Sequence, residues 1–173
     1  MIFPSYQHEA GHAVQASLMY KNKVPLIYAA GPAYFTESFG NFNELLLFDY
    51  LSTHEKDTDK KKIFTAELNN RINVLYGSTM EAYVEYSLIK GIVGGTIKNP
   101  DDLDRVTLIS GSVVSPDLFK ALPENKGLWM LFETNYQAPL HNVNDMIAAA
   151  LAIRYYQLYK ADKNKFIKNY INF

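Results

Sequence analysis

Apolar side chains recur at helical spacing along most of this chain. One such stripe follows the polar residues Ser5 and Gln7 and predicts a helix over about residues 5–20. Its apolar positions are Ala10, Ala13, Val14 and Leu18. A second stripe near the C-terminus predicts another helix, with Leu140, Val143, Ile147, Ala150 and Leu151 on one face.

Glycine, proline and charged residues predict the other element boundaries in the N-terminal half. Val24–Tyr28 is a short apolar run before Gly31 and Pro32, and we expect it to be extended. Proline suits a first helical turn, so a second helix should run from Pro32 to about Ser52. The charged run His54–Lys62 is expected to form a solvated turn and the start of a long third helix.

The third helix should cover about Asp59 to Lys90 and be broken by Gly91, Gly94 and Gly95. Asn99–Asp102 combines a cap, a first-turn proline and acidic residues, and Ser115–Asp117 repeats that signal. Two more helices are therefore predicted, followed by a helical segment around residues 129–136 and a terminal helix over 162–172. Together these patterns predict an all-α fold in one helical domain covering residues 1–173.

The pentapeptide His8-Glu9-Ala10-Gly11-His12 is an H-E-x-x-H motif. Residues four apart lie on one helix face, so His8 and His12 can point at one metal ion, with Glu9 beside it. Glycine is a poor helix former, and Gly11 makes sense if another element passes close to this helix. The alternative is a solvated helix with two surface histidines.

Two imidazoles leave a tetrahedral zinc one protein ligand short of a catalytic set. Glu37, on the predicted second helix, is the candidate for that ligand, and Asn41 and Glu44 share its face. Either of these two could accept the proton of a ligand histidine's second nitrogen, although a solvated face explains them equally well. Because the chain contains no cysteine, zinc would have to use histidine and carboxylate. We expect one zinc ion per chain.

The region Gln7–Leu51 resembles the oligoendopeptidase F and thimet-oligopeptidase family of zinc metallopeptidases. The resemblance is carried by HEAGHAVQ, by VPLIYAAGPAYFTES and by FNELLLFDYL. It implies that His8, His12 and Glu37 bind zinc and that Glu9 is the general base activating a zinc-bound water. Family members are several times longer, mostly before the motif, so this chain is expected to be the C-terminal part of a catalytic region.

A peptidase of this kind also needs a donor for the oxyanion that forms at the scissile carbonyl. His141 and Tyr136 are the candidates, with Tyr155 and Tyr156 less favoured. An ordinary histidine at a helix start explains His141 about equally well. The family carries tyrosines where this chain has His141 and Asp145.

Charge and composition argue against nucleic-acid-binding and membrane proteins. The formal net charge of −1 gives no electrostatic case for nucleic acid or an anionic membrane. The longest apolar stretches, such as Met146–Ile153, are too short to span a bilayer. The lack of cysteine fits a reducing compartment, and we expect a cytoplasmic protein.

The sequence therefore predicts a zinc-dependent metalloendopeptidase that hydrolyses oligopeptides. One alternative is a non-catalytic or truncated helical zinc-binding relative that acts as an interaction module, and another is a helical protein without metal. If a preceding portion is missing, apolar surface would be uncovered, so we expect weak activity and either self-association or dependence on a partner.

Overall fold

The computed structural model describes residues 3–28 and 31–172, and the side chains of residues 6–28, 31–133 and 135–172. All regular structure within those ranges is helical, which confirms the predicted all-α class. The α-helices there are α1 Phe3–Lys21, α2 Ala33–His54, α3 Thr58–Val93, α4 Pro100–Val114, α5 Pro116–Ala121, α6 Thr134–Gln137, α7 Asn142–Ala161 and α8 Lys163–Tyr170. Two 3-10 helices cover Leu26–Tyr28 and Pro123–Met130.

The predicted cap Asn99 forms its bond, the side chain of the predicted cap Ser115 forms none before α5, and Asp162 also acts as a cap. The side chain of Asn99 accepts a hydrogen bond from the Asp102 amide at 3.0 Å, directly before α4. The side chain of Asp162 accepts one from the Lys165 amide at 3.0 Å, directly before α8. Each bond satisfies a backbone N–H that has no partner inside its helix.

Two sequence predictions about local structure are wrong, and a third holds only in part. Residues 24–28 are not extended, because Pro25 accepts a bond from the Tyr28 amide at 2.9 Å and a 3-10 turn forms. Gly91 does not break α3 but is buried inside it, since a Cβ there would lie 2.6 Å from Ile97 Cδ1. The segment 129–136 is helical as predicted except at residues 131–133, because the 3-10 helix ends at Met130 and α6 begins at Thr134.

Two compact units divide the chain. The first comprises residues 1–75 and 147–173, and its buried centre is Phe42, Leu45, Ala152 and Phe166. The second comprises Tyr76–Met146, with a buried centre of Met80, Val84, Leu88 and Phe119. Both units draw on α3 and α7, and the single domain stays a prediction.

Within residues 3–28 and 31–172, no helix is both long enough and apolar enough to cross a bilayer.

Candidate metal centre

Helices α1 and α2 meet at two glycines. A Cβ added at Gly11 would lie 2.7 Å from the Cα of Gly40, and a Cβ added at Gly40 would lie 2.6 Å from Cε1 of His8. Both distances are too short for real side-chain atoms, so only glycine permits this approach. The close passage expected at Gly11 is therefore confirmed, and it brings α2 against the face of α1 that carries the motif.

This crossing places the three candidate ligands together. Nε2 of His8 lies 3.0 Å from Oε2 of Glu37, and Nε2 of His12 lies 3.9 Å from Oε1 of the same carboxylate. One potential ligand atom from each of the three residues lies within 4.8 Å of the other two. Among the side chains that the structure describes, this is the one group of three such residues placed to share a cation.

The nitrogen and oxygen donors of this cluster are of the types that zinc accepts. Tetrahedral zinc with nitrogen and oxygen ligands at about 2.0–2.2 Å separates neighbouring ligand atoms by roughly 3.3 Å. In this structure the separations of 3.0 Å from His8 and 3.9 Å from His12 end on different oxygens of Glu37, and one ligand atom from each residue lies within 4.8 Å of the others. Two imidazoles and one carboxylate are also the ligand count that leaves a zinc coordination position open for chemistry.

His8 is held between two carboxylates. Its Nδ1 lies 3.2 Å from Oε1 of Glu44, on the side opposite to Glu37. Hydrogen bonds to Glu37 and then Glu44 raise the pKa of His8 to about 9, against the opposing effect of burial. Without metal, His8 is therefore protonated at neutral pH, and a metal ion has to displace that proton.

Glu44 also contacts a cation from another helix. Its Oε2 lies 3.1 Å from Nε of Arg71 on α3, and the guanidinium carbon of Arg71 is 5.7 Å from the centre of the Phe48 ring. The contact is an ion pair without the alignment of a hydrogen bond. The sequence named Asn41 and Glu44 as possible partners of a ligand histidine, and Glu44 is the one that meets His8. Nothing in the sequence pointed to Arg71.

The predicted base lies on the same helix as both histidines. Glu9 follows His8 directly, and its side chain is exposed to solvent. A carboxylate in that position is accessible to a reacting water molecule. Nδ1 of His12 is buried without a hydrogen-bond partner in the described part of the chain.

The proposed oxyanion donors belong to the second unit. His141 Nε2 lies 3.8 Å from Oδ1 of Asp145, and the hydroxyl of Tyr136 donates to the carbonyl of Trp129 at 3.3 Å. Their catalytic roles stay predictions.

Other candidates from the sequence have local roles in the first unit. The hydroxyl of Tyr156 donates to Asp49 at 2.8 Å, and Tyr155 packs against the buried Phe42 ring. His54 is exposed and stacks on Tyr50 with ring centres 4.1 Å apart, as its charged surroundings predicted.

Comparisons with protein-family models, with curated proteins and with solved structures found no match for this chain.

Proposed function

We propose that this chain is a zinc-dependent metallopeptidase domain acting on oligopeptides, with His8, His12 and Glu37 as the zinc ligands. The observation that supports it is the meeting of the motif histidines with a carboxylate from a separate helix at 3.0 and 3.9 Å. Its resemblance to the oligoendopeptidase F and thimet-oligopeptidase family motivates the choice of peptide substrates.

Zinc, when bound, supplies a Lewis acid that polarises the scissile carbonyl and makes water more acidic. Glu9 accepts the proton of the attacking water as its oxygen bonds to the carbonyl carbon. The same carboxyl then passes the proton to the amide nitrogen as the C–N bond breaks. The products are a carboxylic acid and an amine, and Glu9 returns to its carboxylate form.

The second candidate is a zinc-binding module without catalysis. It is favoured by the contacts of the two expected oxyanion donors, since Tyr136 bonds to a backbone carbonyl and His141 faces Asp145. Zinc binding is common to both candidates, so peptide turnover separates them.

The test compares the parent chain with His12→Ala and Glu9→Gln. Elemental analysis should find about one zinc per parent chain and per Glu9→Gln chain, and none in His12→Ala. Hydrolysis of a mixed peptide library, followed by mass spectrometry, should require both zinc and Glu9. Loss of general-base catalysis is expected to slow turnover about 100- to 10,000-fold.

Two outcomes contradict parts of this proposal. A full equivalent of zinc retained by His12→Ala would refute the ligand assignment. Zinc binding by the parent without turnover of any library peptide would favour the non-catalytic module.

A further inference from the structure

The carboxylate of Glu44 joins the motif helix to α3. The residue is 8% exposed, and each of its oxygens faces one nitrogen. Oε1 lies 3.2 Å from Nδ1 of His8, and Oε2 lies 3.1 Å from Nε of Arg71. Burying a carboxylate without such partners is costly, so both contacts help to keep Glu44 charged inside the protein.

We propose that Glu44 and Arg71 are positioning residues for His8, an inference that rests on the proposed zinc function. Glu44 accepts the Nδ1 proton of His8, so that Nε2 is the nitrogen that gives up its proton and donates its lone pair to the ion when zinc binds. A carboxylate in this position also makes the imidazole a stronger donor to a metal. Arg71 holds the Glu44 carboxylate in its place.

The contact with Arg71 also keeps Glu44 from acting as a zinc ligand itself. A buried carboxylate beside a zinc site competes for the ion unless its oxygens are engaged elsewhere. Here one oxygen faces the far side of the His8 ring and the other faces the guanidinium. His8, Glu44 and Arg71 also line one small cavity of about 140 Å³ in the first unit, so the three side chains border the same space.

If Glu44 had only a structural role, replacing it would affect zinc binding no more than replacing a similar residue elsewhere on α2. Asp49 is that matched control. Asp49 lies on the same helix and accepts hydrogen bonds from Tyr156 at 2.8 Å and from Lys160 at 3.0 Å. Like Glu44, it ties α2 to another helix of the first unit through charged hydrogen bonds. Unlike Glu44, it has no contact with a candidate zinc ligand in the contacts described.

The experiment measures zinc affinity by competition with a chromogenic chelator for the parent, Glu44→Gln, Asp49→Asn and Arg71→Met. Glu44→Gln should weaken zinc binding about 10- to 100-fold, the range seen when such partners are removed. Arg71→Met should weaken it in the same direction, whereas Asp49→Asn should leave the Kd unchanged. All four proteins should be folded by circular dichroism before titration.

Histidine-selective ¹⁵N NMR of the zinc-loaded proteins provides a second readout that a structural role would not change. The Nδ1–H signal of His8 should shift in Glu44→Gln and stay in place in Asp49→Asn. An unchanged Kd and an unchanged His8 signal in folded Glu44→Gln would overturn the inference while leaving the proposed function intact. If Glu44→Gln does not fold, the Arg71→Met variant is the test, and an unchanged zinc Kd in that variant would overturn the inference. A parent chain that binds no zinc would overturn both the function and this inference.

Discussion

At the scale of single residues, His8 is the most constrained side chain of the candidate centre. Both of its ring nitrogens face carboxylate oxygens, at 3.0 Å for Glu37 and 3.2 Å for Glu44. In the metal-free protein this arrangement favours the imidazolium form. In the zinc-bound protein the Nε2 proton must leave, so binding and protonation compete.

The metal-free protein should lose stability with rising pH because of His8. Its folded-state pKa of about 9 lies above the ordinary value of 6.5, so the stabilisation is fully present below pH 6.5 and is lost as the pH rises through about 9. A pKa difference between 6.5 and about 9 corresponds to about 3 kcal/mol of stability. Urea unfolding in EDTA between pH 6 and pH 10 measures it.

Two histidine variants isolate this effect from other titrating groups. His8→Gln should remove the pH-dependent loss, and His54→Gln should retain it because His54 is exposed and remote in sequence from the cluster. Parallel stability curves for the parent and His8→Gln would refute the prediction.

At the scale of helices, the approach of α1 to α2 determines the site. The two backbones are close because Gly11 and Gly40 face one another and because Asn43 donates to the Gln7 carbonyl at 3.0 Å. The distance between the candidate ligands on α1 and α2 therefore depends on the glycine pair, although neither glycine is itself a ligand.

A methyl group at Gly40 should disturb the site. Gly40→Ala would place a Cβ 2.6 Å from the His8 ring, so we expect a loss of about 1–3 kcal/mol in unfolding free energy and weaker zinc binding. Gly77→Ala on α3 is the control, because a Cβ there meets no atom within 4 Å. It should stabilise the protein by about 0.5–1 kcal/mol. Urea unfolding and zinc titration test both variants, and equal effects would contradict this account.

Much of the helical architecture follows from local signals in the sequence. Asn99 and Asp162 each accept a hydrogen bond from a backbone amide three residues away, and such a local pattern can be recognised without a tertiary structure, as it was at Asn99. The error at Val24–Tyr28 arose because a short apolar run has no periodicity that separates an extended strand from a tight turn. Gly91 was misjudged because its role is to make room for Ile97.

The candidate site was predictable only in part, for a similar reason. The i, i+4 spacing of His8 and His12 is a local property of one helix, and the glutamate Glu37 could be chosen from resemblance and helical phase. The partner Arg71 depends on how α3 packs against α2, which is a long-range property. Helical phase alone left Asn41 and Glu44 equally placed.

At the scale of the whole molecule, two compact units share two continuous helices. α3 and α7 each contribute residues to both units, and each unit has its own buried apolar centre. The candidate ligands all lie in the first unit, while the single tryptophan, Trp129, lies in the second.

The shared helices lead us to expect that both units unfold in one transition. Zinc at about 1,000 times its Kd should stabilise the protein by about 4 kcal/mol and raise the unfolding midpoint by about 8–16 °C. Trp129 fluorescence should show that shift as fully as far-ultraviolet circular dichroism does. His12→Ala should show no shift with zinc. If zinc raises the unfolding midpoint measured by circular dichroism but not the one measured by Trp129 fluorescence, the two units unfold separately.

The glycine contact between α1 and α2 also bears on which cations the centre accepts. Ligands on a loop can move apart to bind a larger ion. Here the proposed ligands lie on α1 and α2, two helices whose backbones are in close contact at Gly11 and Gly40. Expansion would require the helices to part and the buried Phe39 and Phe42 on α2 to move with them. If the cluster binds a metal ion as proposed, we expect it to discriminate by ionic radius, admitting ions of the size of zinc or cobalt and disfavouring calcium, which prefers six to eight oxygen ligands at longer distances.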